Sequence, residues 1–223
     1  MRAQPQLLPP NVIPHWYAGG PALAAWRGLP PVGESSPEEW VGATVARFGE
    51  PNLGPASLAD GMVMNIDPGV STTDARAKGF EEAVKGDSKF QYVGVQYSHN
   101  DPATAAQLIG AQLQKDPDLV GVFATNLFSA EGSATGVRQA GKSGQVQVVG
   151  FDAGPNQMQA LKEGTVQALV AQDPGLIGKF GVDEAVTALE GGQNTKKVQT
   201  GFTIITPENL NAEGGAAAYK SNC

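Results

Sequence analysis

An α/β fold, with a mainly parallel sheet and helices on both faces, follows from three features of this 223-residue chain. From Met62 onward, apolar runs of strand length alternate with segments of helical period. The connections between them are short. Helix-start chemistry recurs where a helix is due, at Asp101-Pro102 and again at Asp173-Pro174. Repeated strand–helix–strand units with short connections impose right-handed crossovers and parallel pairing.

The elements follow in order. The apolar segment MVMNI, starting at Met62, leads to Gly69 and Ser71. Ser71 and Asp74 form an S-x-x-D box expected to cap a helix that carries Phe80 and Val84 on one face. Residues 91–97 alternate as a strand does. The helix after Pro102 has its stripe at Ala105, Leu108, Ile109 and Leu113 and ends before Pro117. A strand over 119–124 is followed by a helix with Ala134, Val137 and Ala140 on one face, stopped by Gly141. A β-rich run over 145–151 ends at Gly150-Phe151, and Asp152 follows at once. Next come a short helix over 155–163 closed by Gly164, a strand over 166–171, and a helix from Pro174. That helix has Val182, Ala185, Val186 and Leu189 on one face. A last strand is expected over 198–205.

Residues 1–60 differ in kind. They hold ten of the sixteen prolines and all three tryptophans, Trp16, Trp26 and Trp40. Up to Ser36 no period of 2 or 3.6 is sustained, so this stretch reads as an irregular Pro-rich segment. One helix is expected over 37–49, with Ser36 as N-cap, Pro37 first, and Glu38 and Glu39 in the first turn. The expected division is therefore an irregular segment over 1–60 and an α/β domain over 61–223.

Bulk properties exclude several classes. A hydrophobic content of 41% with 17% charged residues describes an ordinary globular chain. The net charge of -7 argues against a nucleic-acid partner or an anionic membrane surface. The one cysteine, Cys223, is the last residue, so no disulfide can form within the chain. No apolar run approaches the roughly 18 residues of a membrane helix. Prolines at 5, 9, 10 and 14 break up the N-terminus, so no signal peptide is visible there.

In a parallel sheet the C-terminal strand ends share one edge, where open α/β proteins put ligand contacts. Polar residues at or just past those ends are Arg76, Asn100, Asn126, Asp152 and Gln172. Asp accepts from hydroxyls, Arg donates, and Asn and Gln do both, which suits a polyol. None is a nucleophile with a base beside it, so binding is expected rather than catalysis. Each position also has a plainer reading. Asn and Asp cap helices and make turns, and Arg76 could lie on the surface beside Asp74 or Glu82. Asn100 could simply cap the helix at Pro102, and Asp173 is expected to cap the next one.

Two other motifs are set aside. Residues 136–143, GVRQAGKS, fit the phosphate-loop pattern letter for letter. That chemistry needs a strand before the loop and a helix after it, and here the order is reversed. His15 and His99 are the only histidines and lie far apart, so no metal ligand set and no cofactor are expected. No nucleophile–histidine or paired-carboxylate arrangement is visible.

Three runs together carry a family resemblance: GVSTTDARAKGFEEAV, PDLVGVFATNLFSAEG and VVGFDAGPNQMQALKEGTVQALVAQDPGLIG. In order and spacing they resemble the C-terminal lobe of periplasmic sugar-binding proteins of the ribose-binding type, over residues 60–206. These are the solute receptors of bacterial sugar ABC transporters. The resemblance implies that Arg76, Asn126, Asp152 and Gln172 contact a monosaccharide. Asn100 falls where many members place another pocket residue, often an aromatic. It also implies a non-enzymatic, monomeric receptor in the periplasm or cell envelope, whose partner is a membrane permease. In the family a second, N-terminal lobe supplies aromatic residues over the sugar, and the helix after Pro174 packs on that lobe. Nothing in residues 1–60 resembles it, so a one-lobe, truncated form is expected. Alternatives from other classes are the effector-binding domain of a sugar-responsive repressor and a non-functional gene fragment.

Overall fold

The computed structural model describes residues 59–85, 90–196, 198, 200–211 and 213–220. The helix expected over 37–49, and nearly all of the segment 1–60, lie outside the described residues. The elements run β1 (Ala59–Asn65), α1 (Ser71–Lys85), β2 (Phe90–Tyr97), α2 (Pro102–Lys115), β3 (Leu119–Ala124) and α3 (Leu127–Gln139). They continue with β4 (Gln147–Phe151), α4 (Pro155–Lys162), β5 (Ala168–Gln172), α5 (Pro174–Leu189), β6 (Phe202–Ile205) and the short α6 (Glu213–Ala216). The six strands form one sheet in the order β2-β1-β3-β4-β5-β6. All pairs are parallel except β5–β6.

Alternation along the strands sorts the core into two layers. Met62, Met64, Val122, Ala124, Val148, Leu169, Ala171 and Ile205 face one side, with Ile109 of α2, Val137 of α3 and Leu161 of α4 packed on them. Val63, Phe123, Val149, Phe151, Ala168 and Val170 face the other, with Phe80 and Val84 of α1. Helices therefore lie on both faces, as the alternation predicts. Gly136 lies where α2 and α3 cross. A Cβ there would stand 2.7 Å from the Ala106 carbonyl oxygen. Gly136 is thus a packing residue inside a helix, and the GVRQAGKS run forms the end of α3 and the turn before β4 rather than a phosphate cradle.

The caps are mostly as expected. Asp101 accepts from the Thr104 backbone N–H at 2.8 Å and from Ala103 N–H at 3.3 Å, and Pro102 opens α2. Its carboxyl is held below the ordinary value, first by the Thr104 hydroxyl and then by these amides. Asp173 accepts from Leu176 N–H at 2.9 Å and caps α5. The Ser71–Asp74 box does not form. Ser71 is already helical, and the Asp74 amide bonds the Val70 carbonyl. The Asp74 carboxylate instead accepts from Asn65 Nδ2 at 2.9 Å and from Gly69 N–H at 2.8 Å. The side-chain amide of buried Asn65 and the Gly69 N–H thus take the place of the Ser71 backbone N–H, the partner a capping box would give this carboxylate.

The largest departure from expectation follows β5. Among the described residues of the expected 198–205 strand, Phe202–Ile205 form β6, which runs antiparallel to β5 with Phe202 opposite Gln172. The chain leaves the sheet at the C-terminal end of β5 and returns at the same edge. Helix α5 explains this. It has no buried residue, and Val182 is 64% and Leu189 88% exposed. A crossover helix must bury a stripe on the sheet to bring the next strand in parallel. Helix α5 does not lie on the sheet, so its apolar stripe stands exposed on an excursion that begins and ends beside the strand-end rim.

Candidate functional site

The strand order reverses about β1, because α1 leads to β2 on one side and α2 carries the chain back past β1 to β3. Ligand crevices of open α/β sheets form at such a point, outside the carboxyl ends of the strands. Asn65 ends β1 there and is 1% exposed. Its Oδ1 accepts from Ile66 N–H at 2.8 Å and from the Thr125 hydroxyl at 2.7 Å, and its Nδ2 holds Asp74. Ser98, buried at the end of β2, reaches the Asn65 carbonyl at 3.1 Å and the Ser129 hydroxyl at 2.9 Å. This buried polar floor ties the ends of β1, β2 and β3 to the first turns of α1 and α3.

The five expected residues stand on that floor and its continuation. Arg76 is buried rather than on the helix surface. Its Nη1 donates to the Thr125 carbonyl at 2.9 Å, and its guanidinium lies 3.5 Å from the centroid of the Phe151 ring. Thr125 immediately precedes Asn126 and Phe151 immediately precedes Asp152, so Arg76 lies between those two rim positions. Asn126 has two tasks. Its Oδ1 caps α3 by accepting from Ser129 N–H at 3.1 Å, and its Nδ2 donates to Asn100 Oδ1 at 2.7 Å. Asn100 therefore does not cap α2, which Asp101 does. Asp152 Oδ1 accepts from Gln172 Nε2 at 2.9 Å. The structure thus brings together two side-chain pairs, Asn100 with Asn126 and Asp152 with Gln172, with Arg76 buried between them. Asn126, Asp152 and Gln172 stand at the C-terminal ends of three adjacent strands, a span of roughly 10 Å at about 4.8 Å per strand.

Backbone strain is concentrated here. Among the described residues, the non-glycine positions with positive φ are His99 at 55°, Asn100 at 57° and Asp152 at 77°. All three belong to the rim loops. Each such residue costs on the order of 1 kcal/mol or more and is typical of sites whose surroundings impose the conformation. For Asp152 those surroundings are visible. Its amide donates to the Val170 carbonyl at 2.9 Å. Gln157, fully buried, donates to the Phe151 carbonyl at 2.7 Å and accepts from Gly154 N–H at 2.8 Å, closing the loop from both sides.

The strand-end reading passes over three residues that build the site. Asn65 stands at its own strand end, the same signal that selects Asn100 and Asn126. Gln157 is three residues past the N-cap Gly154, a position from which a side chain reaches back to the cap. Tyr219 is the third. Its hydroxyl donates to Asp152 Oδ1 at 3.1 Å and accepts from Gln172 N–H at 3.1 Å, and no local pattern marks it. His99 pairs through Nδ1 with Asp67 Oδ1 at 2.5 Å on the exposed outer side of the loop. Among the described residues no group of three His, Cys, Asp or Glu side chains converges as a metal site would require. No described helix is long and apolar enough to cross a membrane. A small apolar cavity of about 20 Å³ lies at the opposite, N-terminal edge of the sheet, between Gly61, Phe80, Phe90 and Val149. It has room for about one water and is not the site.

Comparison with known proteins fits this geometry. Residues 35–193 match the periplasmic binding protein domain family. The ribose import binding protein RbsB of Bacillus subtilis is 34% identical over 146 residues, which are 66% of this chain and 45% of that protein. The D-allose-binding periplasmic protein of Escherichia coli is 33% identical over 153 residues, 69% of this chain and 49% of that protein. The chain thus spans about half the length of these curated relatives. Among solved structures, an ABC transporter solute binding protein from Agrobacterium vitis bound with α-D-tagatopyranose superposes with a TM-score of 0.77 at 37% identity. That match covers 83% of this chain and 62% of the other. A second solute binding protein from the same organism, with bound D-fucose, gives 0.75 at 30% identity, covering 82% and 62%. With the family match spanning well over half the chain, and with the sheet order and rim in place, the chain belongs to the periplasmic binding protein domain family.

Proposed function

We propose that the described domain is one lobe of a non-enzymatic receptor for a monosaccharide, serving a sugar ABC transporter. The observation that carries the proposal is the placement of Arg76. A surface arginine would be solvated, whereas this one is buried between the two rim pairs, on the Phe151 ring and the Thr125 carbonyl. Arg76 and the two asparagines offer donors, and the Asp152 carboxylate offers an acceptor. A cyclic polyol satisfies both sets through neighbouring hydroxyls. The sugar-binding names of the relatives and the bound sugars of the structural neighbours support the same class.

In this reading the apolar stripe of α5 is covered by a second lobe, which closes over the sugar from the side where the excursion 173–201 stands. The half-length match to the relatives supports this, as does the 88% exposure of Leu189. The receptor acts in the periplasm or cell envelope as a monomer and docks its closed form on the permease. Well-formed small-molecule sites bury about 70–90% of their ligand, and a single lobe buries far less. The chain alone is therefore expected to bind sugar with a Kd on the order of 1 mM or weaker. Amide chemical shifts measured during titration with a panel of monosaccharides test this. The expected result is saturable shifts confined to Arg76 in α1 and the loops around residues 98–101, 125–127 and 152–154. Absence of rim shifts for every sugar would reject the sugar reading, and sub-micromolar binding would reject the single-lobe reading.

A further inference from the structure

We propose that Tyr219 is a positioning residue of the rim: its hydroxyl, with Gln172, saturates Asp152 Oδ1 so that Oδ2 faces the ligand. This deepens the monosaccharide reading above and rests on it. The C-terminal segment reaches the site from far along the chain, since Tyr219 is 67 residues from Asp152 and 47 from Gln172. Its anchoring is specific. Leu210, Ala217, Ala218 and Tyr219 pack against the core cluster formed with α2, α3 and α4. The Tyr219 amide donates to the Ala153 carbonyl at 2.9 Å, fixing the backbone beside the left-handed Asp152.

The hydroxyl makes one bond of each kind. It accepts from the Gln172 amide at 3.1 Å and so has its proton available for Asp152 Oδ1, also at 3.1 Å. Gln172 Nε2 brings the second donor to Oδ1 at 2.9 Å. An ionised carboxylate oxygen with two donors is close to satisfied, whereas no donor among the described residues reaches Oδ2. The phenol is held above its ordinary titration range, first by burial and then by the neighbouring Asp152 charge. It therefore remains protonated, and a donor, at neutral pH. A carboxylate fixed at one oxygen presents the other to a ligand hydroxyl without losing side-chain freedom on binding, which is preorganisation.

The test is Tyr219→Phe in the full chain, which keeps the ring packing and removes only the hydroxyl. Sugar affinity is read by the same shift titration, alongside melting temperature. The expected result is a folded variant whose Kd is raised about tenfold, the loss typical of one charge-assisted hydrogen bond. A purely structural role would lower the melting temperature and weaken all sugars alike. The positioning role also predicts a selective effect. Wild type should discriminate against the monodeoxy sugar lacking the hydroxyl that Asp152 accepts from, and Tyr219→Phe should lose most of that discrimination. Unchanged affinity and unchanged discrimination would overturn the proposal. Should wild type bind no sugar, the monosaccharide reading fails on that result alone, and the crystal structure of Tyr219→Phe decides the positioning claim. A carboxylate turned away from Gln172 supports it, and an unmoved Asp152 overturns it.

Discussion

Replacing Asp152 by glycine separates what this residue does for folding from what it does for a ligand. On the folding side, the change removes a non-glycine residue from φ 77°, a relief of about 1 kcal/mol. It also removes the acceptor of two hydrogen bonds, from Gln172 at 2.9 Å and Tyr219 at 3.1 Å. In this half-buried position each contributes about 1 kcal/mol. The two effects oppose each other, so the net change is within about 1 kcal/mol, a shift of a few degrees in melting temperature at most. On the binding side nothing offsets the loss. A carboxylate accepting from sugar hydroxyls is worth about 1.5–3 kcal/mol, or roughly 10–150-fold in Kd. Melting curves and shift titrations on the same sample read both quantities. A loss of more than about 3 kcal/mol in stability would make Asp152 a structural turn residue. Unchanged sugar shifts would remove it from the site, and either result refutes the reasoning.

Further tests address the frame around it. Asn65→Leu leaves Asp74, Ile66 and Thr125 without their partner in a buried setting and should cost about 2–4 kcal/mol in urea unfolding. Gly136→Val forces atoms against the Ala106 carbonyl and should cost about 2 kcal/mol or more, measured the same way. Val182→Glu with Leu189→Glu should change the stability of this chain by less than about 0.5 kcal/mol, since both positions are exposed, and a large loss would show that the α5 stripe is already covered. At the opposite edge, burial raises the Asp60 carboxyl above its ordinary value, with Asp116 and Asp118 adding to the shift. A raised folded-state value means stability that is full below pH 3.8 and lost as pH rises through the raised value. Asp60→Asn should therefore stabilise the protein at neutral pH, by less than about 1 kcal/mol given its partial exposure, and not at pH 3.

Sequence revealed the sheet more fully than the site, for a physical reason. Strand alternation and helical stripes are local, so Met62, Val63 and Met64 alone announce a strand buried on both faces. The antiparallel β6 was not legible, because its direction depends on whether α5 finds a surface to pack on, and the α5 stripe reads the same whether or not it does. Within the site, residues at strand ends could be named from their place in the rhythm. Their partners could not. Tyr219 reaches Asp152 across 67 residues, and Arg76 reaches the Thr125 carbonyl across 49. Contacts of that range leave no periodic trace. Asn65 is legible, since the rim rule applied strictly to β1 selects it ahead of Arg76.

A cap at the rim does not use up the side chain that makes it. Asn126 caps α3 with its oxygen and turns its nitrogen toward Asn100. Asp74 leaves the expected cap box to hold Asn65, and Asn65 in turn holds the Thr125 that carries Arg76. At the C-terminal edge of a parallel sheet, helix starts and strand ends meet within a few residues, so each polar side chain has both kinds of group in reach. A side chain already fixed by a cap has little rotamer freedom left to lose when a ligand arrives. Capping residues at this edge are therefore well suited to binding. The position worth examining first is one whose side chain is held at one atom and open at the other, as Asp152 is.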